Sequence, residues 1–172
     1  MKVKNQITAI ALTGLSVLGG GCSSSSSTGT SVSITPGSDT SAYSAVYQGT
    51  LNVQAVLNIT TESSQTATYS RNATVTVGIN GAVAFEVEGV EVLGVVDNSG
   101  NWEVAATLAL LGEEAKDDYE SFGCSTSDVF AKITGTVSPP NLWGAVSGKL
   151  TCYQVLIPTL ELETTGALTA TQ

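Results

Sequence analysis

The chemistry open to this chain is limited first by what it lacks, because its 172 residues include no histidine. Serine and cysteine nucleophiles that depend on an imidazole base are therefore excluded, as are imidazole metal ligands. No glycine-rich loop with a phosphate-binding lysine stands between a strand and a helix pattern. The side chains left for catalysis are carboxylates, and two of them facing each other across a cleft could hydrolyse a glycoside.

Most glutamates of the chain alternate with apolar residues and so lie on the polar faces of predicted strands. These residues are Glu86, Glu88, Glu91, Glu103, Glu161 and Glu163. Carboxylates in such positions serve solubility, so we predict an exposed surface rather than a catalytic pair. The expectation is a protein that is not an enzyme, with a carboxylate-dependent hydrolase as the less favoured alternative.

A second group of acidic residues interrupts the strand pattern in the stretch 112–123. Its members are Glu113, Glu114, Asp117, Asp118 and Glu120. Their oxygens could bind calcium, but the run lacks the alternating spacing and the glycine of an EF-hand loop. We therefore expect a solvated loop or short helix here, and no metal or other cofactor.

The first 21 residues have the pattern of an export signal. Met1-Lys-Val-Lys4 is basic, and an apolar run follows from Ile7 to Leu18. As a helix this run would be only about 18 Å long, whereas a hydrocarbon core is about 30 Å thick. A short basic segment, a short apolar segment and small residues after it predict a secretory signal peptide over residues 1–21.

The junction after this signal reads Leu18-Gly-Gly-Gly-Cys22-Ser23 and resembles the lipobox of bacterial lipoproteins. The resemblance implies that the signal is cut before Cys22 and that this cysteine carries lipid, such as palmitate. Ser23 in place of an aspartate implies sorting to the outer membrane. Gly19 departs from the family, which usually has leucine at that position. The small residues of the junction also suit the ordinary signal peptidase, which would release a secreted or periplasmic protein with an unmodified Cys22.

Removing the signal also removes Lys2 and Lys4, which leaves 4 basic and 15 acidic residues and a net charge of −11. So acidic a chain is repelled by nucleic-acid phosphates and anionic headgroups, and its expected membrane contact is the acyl lipid on Cys22. Cys124 and Cys152 then remain as an even pair in an exported protein, which predicts a disulfide between them. Two thiols without a histidine are a poor metal site.

Two regions follow the signal. Residues 22–42 are rich in Ser, Thr and Gly, with five consecutive serines at 23–27. Such a composition buries too little apolar area to offset the entropy of ordering, so we predict a flexible tether with a reach of roughly 25 Å. Residues 43–172 form the predicted folded domain.

In this domain the apolar residues recur at every second position, which is the period of a half-buried strand. The pattern marks a first strand over Tyr47 to Ile59, a second over Ala73 to Ile79, and a fifth over Trp102 to Leu110. Eight such strands joined by tight turns predict an all-β antiparallel meander that closes as a lipocalin-like up-and-down barrel. A two-sheet β-sandwich is the alternative.

The Gly100-Asn-Trp102 segment is similar to the Gly-x-Trp motif of lipocalins, which in that family marks the first strand. Here it follows the turn before the fifth strand, so the likeness concerns shape and carries over no ligand-binding residue. Glycines also recur on the inward face of the strands. They are Gly49, Gly135, Gly144, Gly148 and Gly166. We interpret them as positions where a small barrel coils, although they could also leave room for a ligand.

The sequence thus predicts a lipoprotein of the bacterial cell envelope, anchored in the outer membrane, with a non-enzymatic barrel of unassigned binding or structural role. A carrier of a small apolar ligand in the barrel interior is the alternative. An integral membrane barrel fits less well, because only ten aromatic residues are present and the last strand ends without one.

Overall fold

Eight antiparallel strands close into one barrel, as the period-two pattern predicts. The computed structural model describes residues 24–28, 32–60, 63–111, 116–154 and 157–172. The strands are β1 (Ser24–Thr28), β2 (Ala45–Ile59), β3 (Gln65–Val77), β4 (Ala82–Val87), β5 (Val90–Val96), β6 (Asn101–Thr107), β7 (Val129–Ser138), β8 (Asn141–Gln154) and β9 (Ile157–Thr171). A 3-10 helix, η1 (Leu108–Leu111), and a short helix, α1 (Lys116–Ser121), lie between β6 and β7.

Strands β2 to β9 each pair with the next strand in the chain, and β9 pairs with β2 to close the barrel. This confirms the predicted up-and-down meander, and the two-sheet sandwich is not formed. Strand β1 was not predicted, and it pairs with Lys149 to Tyr153 of β8, beyond the residues of β8 that pair with β7.

Alternate residues of each strand point inward and form one apolar core. Its largest buried side chains are Trp102, Tyr47 and Phe85. The Trp102 Nε1 atom donates to the Trp143 carbonyl oxygen at 3.1 Å, and the Tyr47 hydroxyl donates to the Tyr43 carbonyl oxygen at 2.9 Å. The polar ends of both buried aromatics are therefore hydrogen-bonded, as buried polar groups must be.

Glycine lets neighbouring strands approach closely where the barrel coils. A Cβ atom on Gly49 would lie 1.9 Å from the Thr169 carbonyl oxygen, and one on Gly135 would lie 1.9 Å from that of Trp143. No side chain fits at such distances. The positions are filled by adjacent backbone, which favours the coiling interpretation over room left for a ligand.

The barrel wall is taller on one side than on the other. Strands β2, β3, β8 and β9 have 13 to 15 residues, whereas β4, β5 and β6 have 6 or 7. Helices η1 and α1 belong to the end where the long strands project, which also holds Cys124 and Cys152. We call it the disulfide end. The turns at 78–81, 97–100 and 138–141 form the opposite end, the turn end.

Two strands differ in length from their predicted ranges. Strand β3 begins at Gln65, well before Ala73, and β6 ends at Thr107. The backbone N–H groups of Leu108 and Ala109 donate to the carbonyls of Asp128 (2.9 Å) and Thr126 (3.0 Å), so the chain turns into η1 there.

Within the described ranges, no helix has the length and apolar character needed to cross a membrane.

Strand β1 joins the sheet beside β8, and residues 32–44 continue past Glu103 of β6 to the turn end. We call residues 24–28 and 32–44 the N-terminal strap. Strand β1 begins beside Tyr153 at the disulfide end. Further on, Gly37 N donates to the Val96 carbonyl (2.8 Å), and the buried Thr40 hydroxyl donates to the Gly78 carbonyl (2.6 Å) at the turn end. The described part of the strap thus differs from the flexible tether expected over residues 22–42, because its backbone groups pair with the barrel.

Candidate functional site

Cys124 and Cys152 form a disulfide, as the cysteine count predicts. Their Cα atoms lie 5.2 Å apart, which is within the usual range for a disulfide. Cys152 is inward-facing on β8, and Cys124 lies just beyond α1. The bond therefore joins the segment that follows the acidic stretch to the barrel wall.

Hydrogen bonds fix the same segment against β8 and β9. The Thr159 hydroxyl donates to the Phe122 carbonyl at 2.6 Å, and the Gln154 side-chain amide donates to the Ser121 carbonyl. Gly123 has a φ of +81°, and a Cβ there would lie 2.3 Å from the Tyr153 carbonyl oxygen. The segment after α1 is therefore fixed to the barrel wall by a disulfide and by hydrogen bonds, and it is not a loose loop.

The proposed lipid attachment point, Cys22, lies outside the described residues, as does the predicted signal 1–21. The nearest described residue is Ser24, which pairs with Tyr153 next to the disulfide. Only Ser23 separates Cys22 from β1. The start of the strap is therefore at the disulfide end of the barrel.

Glu103 holds the strap to the outer wall. Its side chain points outward from β6 but is only 2% exposed, since the strap covers it. Its carboxylate accepts hydrogen bonds from Ser33 N and Ser33 Oγ, both at 2.7 Å, and forms an ion pair with Lys132 Nζ at 2.7 Å. The expectation that Glu103 is part of an exposed solubilising surface is wrong, because residues 70 positions earlier in the chain bury it.

Opposing effects act on the Glu103 carboxylate. Burial raises the pKa of this group, because desolvation disfavours its charge. The hydrogen bonds and positive charge of Lys132, together with the bonds from Ser33, act in the other direction and outweigh burial, so the pKa lies below its ordinary value. Glu103 is therefore charged. We call its contacts with Ser33 and Lys132 the Glu103 clasp.

The remaining strand glutamates are on the outer wall. Glu86 and Glu91 are directly opposite each other on β4 and β5, and both are exposed. Glu161 and Glu163 both contact Lys149 Nζ, at 3.4 and 3.2 Å. Neither pair lies in a cleft where two carboxylates could enclose a substrate, and this arrangement lends no support to a hydrolase.

The acidic stretch gives no calcium site among the described residues. Glu113 and Glu114 lie outside them, nothing is described of the Asp117 and Asp118 side chains, and Glu120 is exposed on α1. In the part of the chain that the structure describes, no three acidic or cysteine side chains come together to hold a metal ion.

One inward-facing polar group stands out in the barrel interior. Thr164 on β9 is 1% exposed, and its hydroxyl has no hydrogen-bond partner among the described residues. Its neighbours on the adjacent strands are Ala55 and Gly148, both small. Thr164 was not a sequence candidate, although its place between the inward Leu162 and Gly166 of β9 indicates that it faces the core.

A groove of ≈ 340 Å³ lies on the outer wall near the turn end, where β2, β9 and β8 run side by side. The side chains along it come from alternate residues of the three strands: Gln48, Thr50, Asn141, Trp143, Thr169 and Thr171. We call it the Trp143 groove. Trp143 was not a sequence candidate, although its position between the inward Leu142 and Gly144 places it on the outer face.

Comparison with known proteins adds no relative to this description. No protein-family model matches the chain, and no curated protein is similar enough in sequence to count as a relative.

Proposed function

We propose that this chain is a bacterial lipoprotein whose barrel is held at the outer membrane by acyl chains on Cys22. The observation that carries the proposal is the cysteine arrangement: Cys124 and Cys152 bond to each other, and Cys22 directly follows a signal-like segment. A structural disulfide fits an oxidising compartment outside the cytoplasm. The third cysteine then stands where a lipobox cysteine stands.

The physical role of the lipid is retention. One acyl chain gives only marginal membrane binding, whereas several chains on the same residue hold firmly. The acidic mature chain is repelled by anionic headgroups, so it has no electrostatic means of staying at a bilayer. Anchoring therefore depends on Cys22, and without lipid the protein is secreted or periplasmic.

The path of the strap indicates at which end of the barrel the acyl chains would lie. Strand β1 begins two residues after Cys22 and pairs with β8 beside Tyr153. Acyl chains on Cys22 would thus enter the bilayer close to the disulfide end. The barrel then stands with that end toward the membrane and its turn end away from it.

The test is mass spectrometry of the mature amino-terminal peptide, together with labelling by radioactive palmitate in a bacterial host. The expected peptide begins at Cys22 and carries the mass of its acyl chains, and Cys22→Ser moves the protein to the soluble fraction. The matched control is the double variant Cys124→Ser/Cys152→Ser, which removes two thiols but keeps the label. An unmodified Cys22, or label that depends on the other cysteines, would refute the proposal.

A small apolar ligand in the barrel interior is a second candidate function, favoured by the partnerless hydroxyl of Thr164 among the described residues. A ligand with one polar atom would hydrogen-bond this group. A fluorescent fatty acid that binds the protein and loses affinity in Thr164→Val would support the carrier. Absence of binding at micromolar ligand would exclude it.

A further inference from the structure

We infer that the Trp143 groove is a binding site for a neutral carbohydrate chain. This inference is independent of lipidation, because it rests on the outer wall of the barrel alone. Trp143 is 53% exposed, while the other tryptophan, Trp102, is buried in the core. An indole face that remains in water offers a flat apolar surface of the kind that stacks against the C–H face of a sugar ring.

The other side chains of the groove supply hydrogen bonds without charge. Thr50 and Thr169 are cross-strand partners, as are Trp143 and Thr169, so two hydroxyls lie in one row with the indole. Gln48, Thr171 and Asn141 form the next row toward the turn end. Both rows therefore offer donors and acceptors at the strand spacing of about 4.8 Å, which suits the hydroxyls along the edge of a sugar.

These polar side chains are available to a ligand. Among the described residues, none of the five forms a side-chain hydrogen bond within the protein. Their hydroxyl and amide groups are therefore bonded to solvent, and a ligand that presents hydroxyls can exchange for that solvent at little loss.

Charge identifies the class of partner. The mature chain has a net charge of −11, yet no side chain along the groove is charged. An anionic ligand would find no cation there and would be repelled by the protein as a whole. A cationic ligand would find no carboxylate in the groove. A neutral polyhydroxylated chain is the ligand that this lining satisfies.

The groove is also rigid, which lowers the entropy lost on binding. All three strands that form it are paired through long ladders. The backbone of Trp143 is fixed from the core side of the barrel wall, because its carbonyl oxygen accepts the hydrogen bond from Trp102 Nε1. Gly144 allows this arrangement, since a Cβ there would lie 2.7 Å from the Trp102 ring.

The experiment uses tryptophan fluorescence of the full chain, purified in a detergent without a sugar headgroup. The probes are neutral hexasaccharides of β-1,4-linked glucose, β-1,4-linked N-acetylglucosamine and α-1,4-linked glucose. At least one should quench or shift the exposed Trp143 emission in a saturable manner, while the buried Trp102 emission stays constant as an internal reference. Calorimetry gives the affinity without relying on the fluorophore.

Trp143→Ala should weaken binding about tenfold or more, the range of an aromatic anchor. Trp143→Phe should restore part of it, and Thr169→Val should weaken it by removing a hydroxyl without a change of shape. Leu93→Ala is the matched control, because Leu93 is a large apolar residue that is 71% exposed on a different part of the wall. No binding of any probe at millimolar concentration overturns the inference. Equal affinity of Trp143→Ala, or a Trp143-dependent dimer that excludes the probes, does so too.

Discussion

Substituting Glu103 with alanine removes three contacts at once, two with the strap and one with Lys132 on β7. The carboxylate accepts two hydrogen bonds from Ser33 and pairs with Lys132, each at 2.7 Å. Glu103 is almost fully buried beneath the strap, so no water replaces these bonds while the strap stays in place. The variant should therefore both lower stability and loosen residues 32–44.

The size of the effect follows from the burial of the two charges. Breaking a buried ion pair destabilises a protein by about 3–5 kcal/mol, because the remaining charge is left without a partner. The Lys132 side chain is 22% exposed and can return to water, so we take the lower limit, about 3 kcal/mol. For a domain of this size that loss lowers the melting temperature by roughly 10 °C. Ser33→Ala removes one charge-assisted bond and should lose about 1.5 kcal/mol.

The assay combines denaturant unfolding with hydrogen exchange of single amides. Glu103→Ala and Ser33→Ala form a double-mutant cycle, and their shared contact predicts a coupling energy of about 1 kcal/mol or more. The amides of Gly37 and Thr40, which donate to Val96 and Ile79, report on the strap itself. Their exchange should accelerate in both variants, while amides of the β8–β9 ladder keep their relative protection.

The pH dependence gives a further check on the same carboxylate. The pKa of Glu103 in the folded protein lies below its ordinary value of 4.5. Its contribution to stability is therefore fully present at neutral pH and is lost as the pH falls through the folded value, below 4.5. Glu103→Gln should remove this part of the acid sensitivity. Unchanged stability in Glu103→Ala, additive effects in the cycle, or unchanged exchange at Gly37 and Thr40 would refute the clasp.

Three further predictions concern the barrel. Cys124→Ser should destabilise the fold by about 3.5 kcal/mol, because the bond to Cys152 closes a 28-residue separation in the unfolded chain; an unchanged melting curve would contradict this. Thr164→Val should raise stability by about 1 kcal/mol in calorimetry, since it removes a buried hydroxyl without a partner among the described residues; a loss would show that a water or ligand satisfies it. Glu91→Lys should gain about 0.5 kcal/mol at low salt by pairing with Glu86 across β4 and β5, with Glu91→Gln as the uncharged control. A gain that persists in molar salt would point to another cause.

The barrel was predictable because residues close together in the sequence carry the patterns that determine it. Alternation with period two marks each strand, and tight turns fix which strand pairs with which. The strand ends are less well marked. Gln65 to Asn72 of β3 has few apolar inward residues, so its pattern is weak. Leu108 and Leu110 continue the alternation of β6 although the backbone has already turned into η1.

The strap and the Glu103 clasp were not predictable from composition. Residues 32–42 are mostly small or polar, and their alternating apolar pair, the half-buried Val32 and Ile34, is too short a pattern to mark a docking segment. Its contacts include backbone hydrogen bonds, the Thr40 hydroxyl and one carboxylate that lies 70 positions away in the chain. Glu103 itself alternates with Trp102 and Val104 like any surface residue of a strand. Only the path of the chain over the wall shows that this outward position is covered.

The strap also connects the position of the proposed lipid anchor with that of the Trp143 groove. If acyl chains on Cys22 anchor the disulfide end, the Trp143 groove lies at the other end of β8, ten residues from Tyr153, or about 33 Å along the strand. With a strand tilt of about 40° this is about 25 Å along the barrel axis. The groove then lies on the side wall at the end far from the bilayer, where a carbohydrate chain outside the membrane can reach it. Strand β1 fixes this orientation, because it pairs with β8 beside the proposed anchor. Release of residues 32–44 in Glu103→Ala should therefore leave sugar affinity unchanged in solution. On supported bilayers the same variant should also keep the groove height that fluorescence quenching by headgroup-labelled lipid measures, because β1 still pairs with β8. A loss of that height would show that the clasp, and not β1, sets the orientation.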